Sequence, residues 1–297
     1  MNSRRALDFT AIFTLVVLCA SWGAQQVAVK IALQSFPPFL QMGLRSACAM
    51  LLVAAYCVLS KRGPLFVRDG TLWPGLFSGL LFAGEFVLIY VGLQWTDASR
   101  TSLLLYTAPF FVALGAHWML PAERLWGMQW LGLLFSFAGI VVVMGVPHAS
   151  PTPNAIVGDL MIVGAAALWA ATTLTIKTTS LKRALPEKVL LYQLAVSAVV
   201  GIVWGVGLGE TVTWQGAAPL AAFTYQTIWV AAITFVLWLR LVSRYPVSML
   251  QAATSMTPLF GVAFAAWMLG EHLSMPFVLA VALMIAGLLL VNRPRRA

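Results

Sequence analysis

Residues 108–125 read APFFVALGAHWMLPAERL, and residues 257–273 read TPLFGVAFAAWMLGEHL. The stretches share a proline at one place (Pro109, Pro258), the tripeptide Trp-Met-Leu (118–120, 267–269) and a glutamate just beyond it (Glu123, Glu271). The likeness extends on both sides. Upstream, WGAQQVAVK at 22–30 aligns with WAATTLTIK at 169–177, and downstream Ala138-Gly139 aligns with Ala286-Gly287. Trp22 to Trp169 is 147 positions, Glu123 to Glu271 is 148 and Trp118 to Trp267 is 149, so one small gap reconciles the anchors. The chain reads as a duplication with halves 1–150 and 151–297.

Of 297 residues, 61% are apolar and 9% charged, with a mean hydropathy of +0.91. Soluble domains carry about 25% charged residues. So little charge cannot cover a water-facing surface, which excludes a soluble globular protein. Apolar runs at 10–33, 38–59, 72–93, 98–120, 128–146, 156–178, 189–207, 220–241, 246–269 and 275–291 predict an all-α polytopic membrane protein of ten transmembrane helices. A spanning helix takes about 20 residues, so ten use roughly 200 and leave no room for a soluble catalytic domain. The first run follows Arg4 and Arg5 but continues past the one plausible cleavage region, Cys19-Ala20-Ser21, and has a partner in the second half; it reads as a retained helix, not a cleaved signal. Five helices per half is an odd number, so the second half enters the membrane from the opposite side. Such inverted-topology repeats, around a central cavity, are a recurrent plan of secondary transporters.

The formal charge of +9 sits in short loops, where it sets orientation instead of attracting nucleic acid. With the N-terminus cytoplasmic, Arg4, Arg5, Lys61, Arg62, Arg68, Arg124, Lys177, Lys182, Arg183, Lys188, Arg240, Arg244, Arg293, Arg295 and Arg296 lie inside, Lys30 and Arg100 lie outside, and Arg45 lies within a span. Both termini are therefore expected in the cytoplasm. Cys19, Cys48 and Cys57 lie in apolar runs with no metal-ligand spacing and read as small core residues.

Several of these motifs carry a family resemblance. The five-plus-five repeat, the Trp…Lys start at 22–30, Pro37, Pro38 and Arg45, and the Pro…Trp-Met-Leu…Glu endings of both halves resemble the drug/metabolite transporter superfamily in its EamA-type branch, with the YddG-type aromatic amino-acid exporters as the nearest group. The resemblance implies an inner-membrane secondary transporter that exports amino acids and related small metabolites. Export of drugs or lipophilic cations, or sugar-type metabolite transport, is the alternative. No cofactor or metal is expected, and a monomer is the default.

Polar residues inside spans are costly, so their positions inform. On the fourth span Ser99, Ser102, Tyr106 and Pro109 share one helical face; Ser248, Gln251, Ser255 and Pro258 repeat it on the ninth, each 149 positions later. Ser78 and Glu85 on the third span correspond to Thr227 and Thr234 on the eighth, and Gln25 and Gln26 to Thr172 and Thr173. Trp22, Tyr90, Tyr106, Trp169 and Tyr225 are candidate aromatic walls. The stripes read either as small polar residues that bind helix to helix or as the lining of a shared cavity that holds zwitterions without a fixed countercharge. Arg45 and Glu85 fall at matched depths, about 12–14 Å from the outer end, which permits an ion pair. It would serve either as a static structural pair or as a substrate or proton site.

Other classes fit less well. Asp8, Asp69, Asp97 and Asp159 are too scattered for a magnesium–pyrophosphate site, 75–79 (GLFSG) lacks the first glycine of a rhomboid-type serine motif, and no phosphate-binding Gly-rich loop with Lys-Ser/Thr occurs. A channel would give flux that does not saturate, and a sensor would attach an output domain. Pro109 and Pro258 fall near the middle of their spans, where proline removes a backbone hydrogen bond and pushes on the preceding turn. They predict bends in spans four and nine, read either as hinges for alternating access or as fixed kinks. The charge count makes one firm expectation: reporters fused to either terminus should be active only on the cytoplasmic side, and a periplasmic C-terminal reporter would refute the ten-span reading.

Overall fold

The computed structural model describes residues 8–61, 69–120, 124–148, 152–242, 245, 250 and 254–291. Among them there is helix and no strand. The α-helices are α1 (Phe9–Ala32), α2 (Pro38–Leu59), α3 (Leu72–Gly92), α4 (Ala98–Leu105), α5 (Ala108–Met119), α6 (Gly127–Gly145), α7 (Ala155–Thr178), α8 (Pro186–Gly207), α9 (Ala217–Thr224), α10 (Phe235–Val242), α11 (Thr257–Leu269) and α12 (Met275–Val291). A π-helical stretch, Tyr225–Thr234, joins α9 to α10 without a break. Taking α4 with α5 and α9 with its continuation, eight helical segments of 19–24 residues are long and apolar enough to cross a bilayer, and α11 and α12 are shorter apolar helices. Phe13, Leu51, Phe137, Val203 and Trp267 are exposed on the outside, as an apolar surrounding requires.

Local chemistry sets the helix ends. Asp8 accepts from the Ala11 amide at 2.8 Å at the start of α1. Pro38 and Pro186 open α2 and α8 at the first helical position, where the missing N–H would have had no partner. Gly270 closes α11 in the left-handed conformation (φ 67°) that glycine adopts freely. Beside α3, Asp69 accepts from the hydroxyl of Thr71 and from Lys188 Nζ at 2.9 Å; these bonds hold its exposed carboxyl down at about 2.

The expected bends take a different form. α4 ends at Leu105, the amides of Tyr106 and Thr107 turn to Leu103 O (3.1 Å) and Leu104 O (3.0 Å), and α5 starts at Ala108. Pro109 thus sits in the first turn of a new helix, where it costs no hydrogen bond, and the break precedes it. Ser255 and Met256 form the matching turn ahead of α11, with Pro258 in its first turn.

The halves interlock. α2 packs on α8 and α6 on α12; α3 packs on α7 as α1 packs on α9 and the π stretch; α4 and α5 pack on α7 as α11 packs on α1. Exchanging the halves maps this set of pairings onto itself. At the α2–α8 crossing the backbones nearly touch: a Cβ added to Gly43 would lie 2.6 Å from Ile202 N, and one added to Gly201 would lie 2.6 Å from Gly43 Cα. Gly132 and Gly287 do the same for α6 and α12, where an added Cβ on Gly132 would meet Gly287 O at 2.8 Å. Lipid gives helices no hydrophobic reason to associate, so such small-residue contacts carry the packing. Cys19 and Cys57 are buried as expected, whereas Cys48 is exposed on the outer face of α2, where an apolar thiol can face an apolar surrounding. Gly43→Ala should destabilise the purified protein by about 1–3 kcal/mol through overpacking, read as a lower melting temperature in detergent. Gly145→Ala, with nothing within 4 Å of the added carbon, should not. Equal melting temperatures for the two variants would contradict the crossing.

Candidate functional site

A cavity of about 190 Å³ lies between the two halves. Its first-half walls are Trp22 and Gln25 of α1, Arg45 of α2, and Phe82 and Phe86 of α3; its second-half walls are Leu190 and Leu194 of α8, Val230, Ala231 and Thr234 of the π stretch, and Phe235 and Trp238 of α10. The contact between halves is specific. Trp22 Nε1 donates to Thr234 Oγ1 at 3.0 Å, and the Trp22 and Trp238 rings meet edge to face with centroids 5.5 Å apart. Thr234 Oγ1 in turn donates to Val230 O at 2.6 Å. The π geometry, rare in proteins and frequent at functional sites, brings Val230, Ala231 and Thr234 to one wall.

Arg45 is the charge in this wall. Its side chain is 95% buried by neighbours (5% exposed), and its guanidinium carbon stands 4.8 Å over the centre of the Phe86 ring. Nε and Nη1 are buried and have no hydrogen-bond partner. Glu85 is buried nearby, on the same helix as Phe86, yet no Arg45–Glu85 contact within 4.0 Å occurs among the described residues. The two charges are close enough to feel each other without a direct salt bridge, and the guanidinium lies over the face of Phe86. Arg45 thus sets a charged side chain among the otherwise uncharged walls of this cavity.

Of the residues singled out in the sequence, Trp22, Gln25, Arg45 and Thr234 line this cavity. Others bind helix to helix. Gln193 Nε2 donates to Ser78 Oγ at 3.0 Å, Tyr90 OH donates to Gln226 Oε1 at 2.7 Å, and Tyr225 OH donates to Ser21 O at 2.9 Å. Thr173 Oγ1 bonds back to Trp169 O at 3.1 Å, and Trp169 meets Tyr106 edge to face at 6.1 Å. Ser102 is buried against Gly261, where α4 meets α11, and Ser255 is buried in the turn ahead of α11. Ser248 and Gln251 lie outside the described residues. The aromatic walls Phe82, Phe86, Phe235 and Trp238 escaped notice because nothing in a run of apolar residues separates a cavity phenylalanine from a lipid-facing one.

A second buried cluster, away from the cavity, ties the ends of α1, α6 and α11 to the starts of α4 and α7. Asp159 accepts from Arg100 Nε at 3.1 Å (Oδ1) and 3.0 Å (Oδ2), from Arg100 Nη2 and from the Thr96 hydroxyl, and pairs with His148 Nε2 at 3.2 Å. Arg100 Nη1 donates to Val146 O at 3.0 Å. Glu271 accepts from the amides of Ala98 (2.8 Å) and Ser99 (2.9 Å), capping α4, with Lys30 Nζ 3.9 Å from its carboxylate. Lys30 also donates to Thr96 O at 2.6 Å. The glutamate of the repeated Trp-Met-Leu…Glu motif thus caps a helix of the other half; Glu123, its counterpart, lies outside the described residues.

The EamA-like transporter family model matches this chain twice, over residues 9–145 and 156–293. The chain belongs to the EamA-like transporter family. It is a membrane transporter by that membership. It is 25% identical over 279 residues to the uncharacterized transporter YoaV of Bacillus subtilis, covering 90% of this chain and 91% of that protein. It is 26% identical over 294 residues to a probable amino-acid metabolite efflux pump of Salmonella typhimurium, covering 94% and 92%. A crystal structure described only as that of a protein superposes with a TM-score of 0.67 at 20% identity, covering 95% of this chain and 96% of that one; the likeness is one of fold. In this EamA-like chain, Asp159→Asn should leave Arg100 buried beside a neutral amide, at a cost of about 3–5 kcal/mol. We expect a large fall in the amount of folded protein in the membrane, and a clearly smaller one for Asp69→Asn, whose own carboxylate is exposed although its partner Lys188 is buried; comparable falls for both would contradict this role for the buried cluster.

Proposed function

We propose that the protein exports amino acids and related small metabolites across a bacterial inner membrane by alternating access, as ten spans in two inverted five-helix repeats, 1–150 and 151–297, with both termini cytoplasmic. The observation that carries this reading is the cavity between the halves, walled by both and tied by the Trp22–Thr234 bond. The exchange symmetry of the helix pairings supports it: two arrangements related by swapping the halves have comparable energy, as a carrier with two access states requires. The family membership and the relative named for amino-acid metabolite efflux support the substrate class.

The cavity walls occupy the middle of α1 and the early turns of α8, while the Arg100–Asp159 and Lys30–Glu271 cluster gathers at the opposite ends of the helices. In the proposed orientation that cluster closes the outer side and the cavity serves the cytoplasm. The breaks at Tyr106–Thr107 and Ser255–Met256 are the hinges, and Pro109 and Pro258 keep the two helical segments apart by withholding an amide that would join them. The aromatic walls would suit lipophilic cations, but a cation would meet Arg45, so the structure favours an anionic or zwitterionic cargo.

The test is counterflow in liposomes. Protein-dependent, saturable exchange of a radiolabelled amino acid is expected, with Pro109→Ala and Pro258→Ala each slowing exchange several-fold while half-saturation stays near wild type. Transport of drugs but of no amino acid would overturn the substrate class; wild-type rates in both proline variants would overturn the hinges.

A further inference from the structure

We infer that Arg45 is the substrate's anion receptor, and that the cargo is a small carboxylate with an apolar, preferably aromatic, body. The inference rests on the transport reading above and narrows it. Two observations lead to it independently. First, the guanidinium is nine-tenths buried, lines the cavity, and keeps Nε and Nη1 without any hydrogen-bond partner. Buried charged donors of that kind are costly unless an acceptor reaches them. Among the described residues none does so: Glu85 is near enough to feel the Arg45 charge but makes no bond to it within 4.0 Å, and the neighbour that the guanidinium does have, Phe86, is a ring face that accepts no full hydrogen bond. A carboxylate entering the cavity supplies what is missing, because it is acceptor-only and carries the opposite charge.

Second, the remainder of the wall is selective for what else the molecule carries. Phe82 and Phe86 from one half and Phe235 and Trp238 from the other offer apolar aromatic surface, and a space of about 190 Å³ suits a small metabolite. Near the middle of α1, Gln25 and the lone pairs of Thr234 Oγ1 supply the acceptors that a substrate ammonium needs. Thr234 spends its own proton on Val230 O and receives one from Trp22, so it meets an incoming group as an acceptor. Arg45 thereby distinguishes the carboxylate end from the amino end, and charge reads which way the guest lies.

The experiment uses the full-length protein in liposomes with four probes that share one aromatic body: phenylalanine, phenylalaninamide, phenethylamine and 3-phenylpropionate. In the wild type, phenylalanine should compete at least tenfold better than its amide or the amine. Arg45→Gln should lower phenylalanine exchange at least tenfold and bring acid and amide to near equality, and Arg45→Lys should retain part of the preference. An amide that competes with the wild type as well as the acid overturns the inference without any variant, so a misfolded Arg45→Gln protein cannot shield it; so does an Arg45→Gln protein that keeps the preference, or a wild type that takes none of the carboxylates. If 3-phenylpropionate is carried with Arg45 dependence and phenylalanine is not, the receptor stands and amino-acid export falls. If phenylalanine and its amide are exchanged alike, export of amino acids stands and the receptor falls.

Discussion

Everything in this structure depends on how closely helices of one half can approach helices of the other. In lipid no hydrophobic force gathers them, so the interface rests on shape. Gly43 against Gly201 and Gly132 against Gly287 let backbones meet with no side chain between them. These contacts fix α2 on α8 and α6 on α12, two crossings at which a helix meets its own counterpart. With those pairs clamped, the remaining helices divide the space between them, and the cavity is what their larger side chains leave unfilled.

Charge is then placed with economy. The deeply buried Arg100 is neutralised in full by Asp159, with a backbone carbonyl for the spare donor, and Glu271 spends its negative charge on a helix N-terminus and Lys30. Arg45 is treated differently. It is as deeply set as a structural ion pair would be, yet it stacks on Phe86 and keeps donors unmatched. One bundle thus holds a fully satisfied arginine, Arg100, and one with unmatched donors, Arg45.

Irregular backbone follows the same division. At the helix breaks Tyr106–Thr107 and Ser255–Met256, and along the π stretch Tyr225–Thr234, one side packs on neighbouring helices, and short i+3 bonds satisfy displaced groups at the first break. The π stretch contributes three residues to the cavity wall, and regular α geometry would turn Thr234 away from Val230 and Ala231 by a different angle.

The sequence alone was sufficient for the class, the duplication and the family. Hydropathy is additive along a chain, and a repeat is visible wherever the same residues recur at the same distance, so Trp-Met-Leu…Glu at 118–123 and 267–271 was readable without coordinates. The repeat also pointed to Trp22, Gln25 and Thr234, and Arg45 stood out as a charge inside a span. Spacing could not say that Ser78 and Tyr90 bind helices to one another while Thr234 faces the cavity, since one helical face borders both a neighbour and a space. Nor could it tell that Arg45 declines Glu85 at the same depth: depth is one coordinate, and rotation about each helix supplies the other. The tertiary structure alone decided which aromatics became walls, where the helices broke relative to their prolines, and which buried charge was left without a partner, because each of these depends on the residues that packing brings opposite, many positions away in the chain.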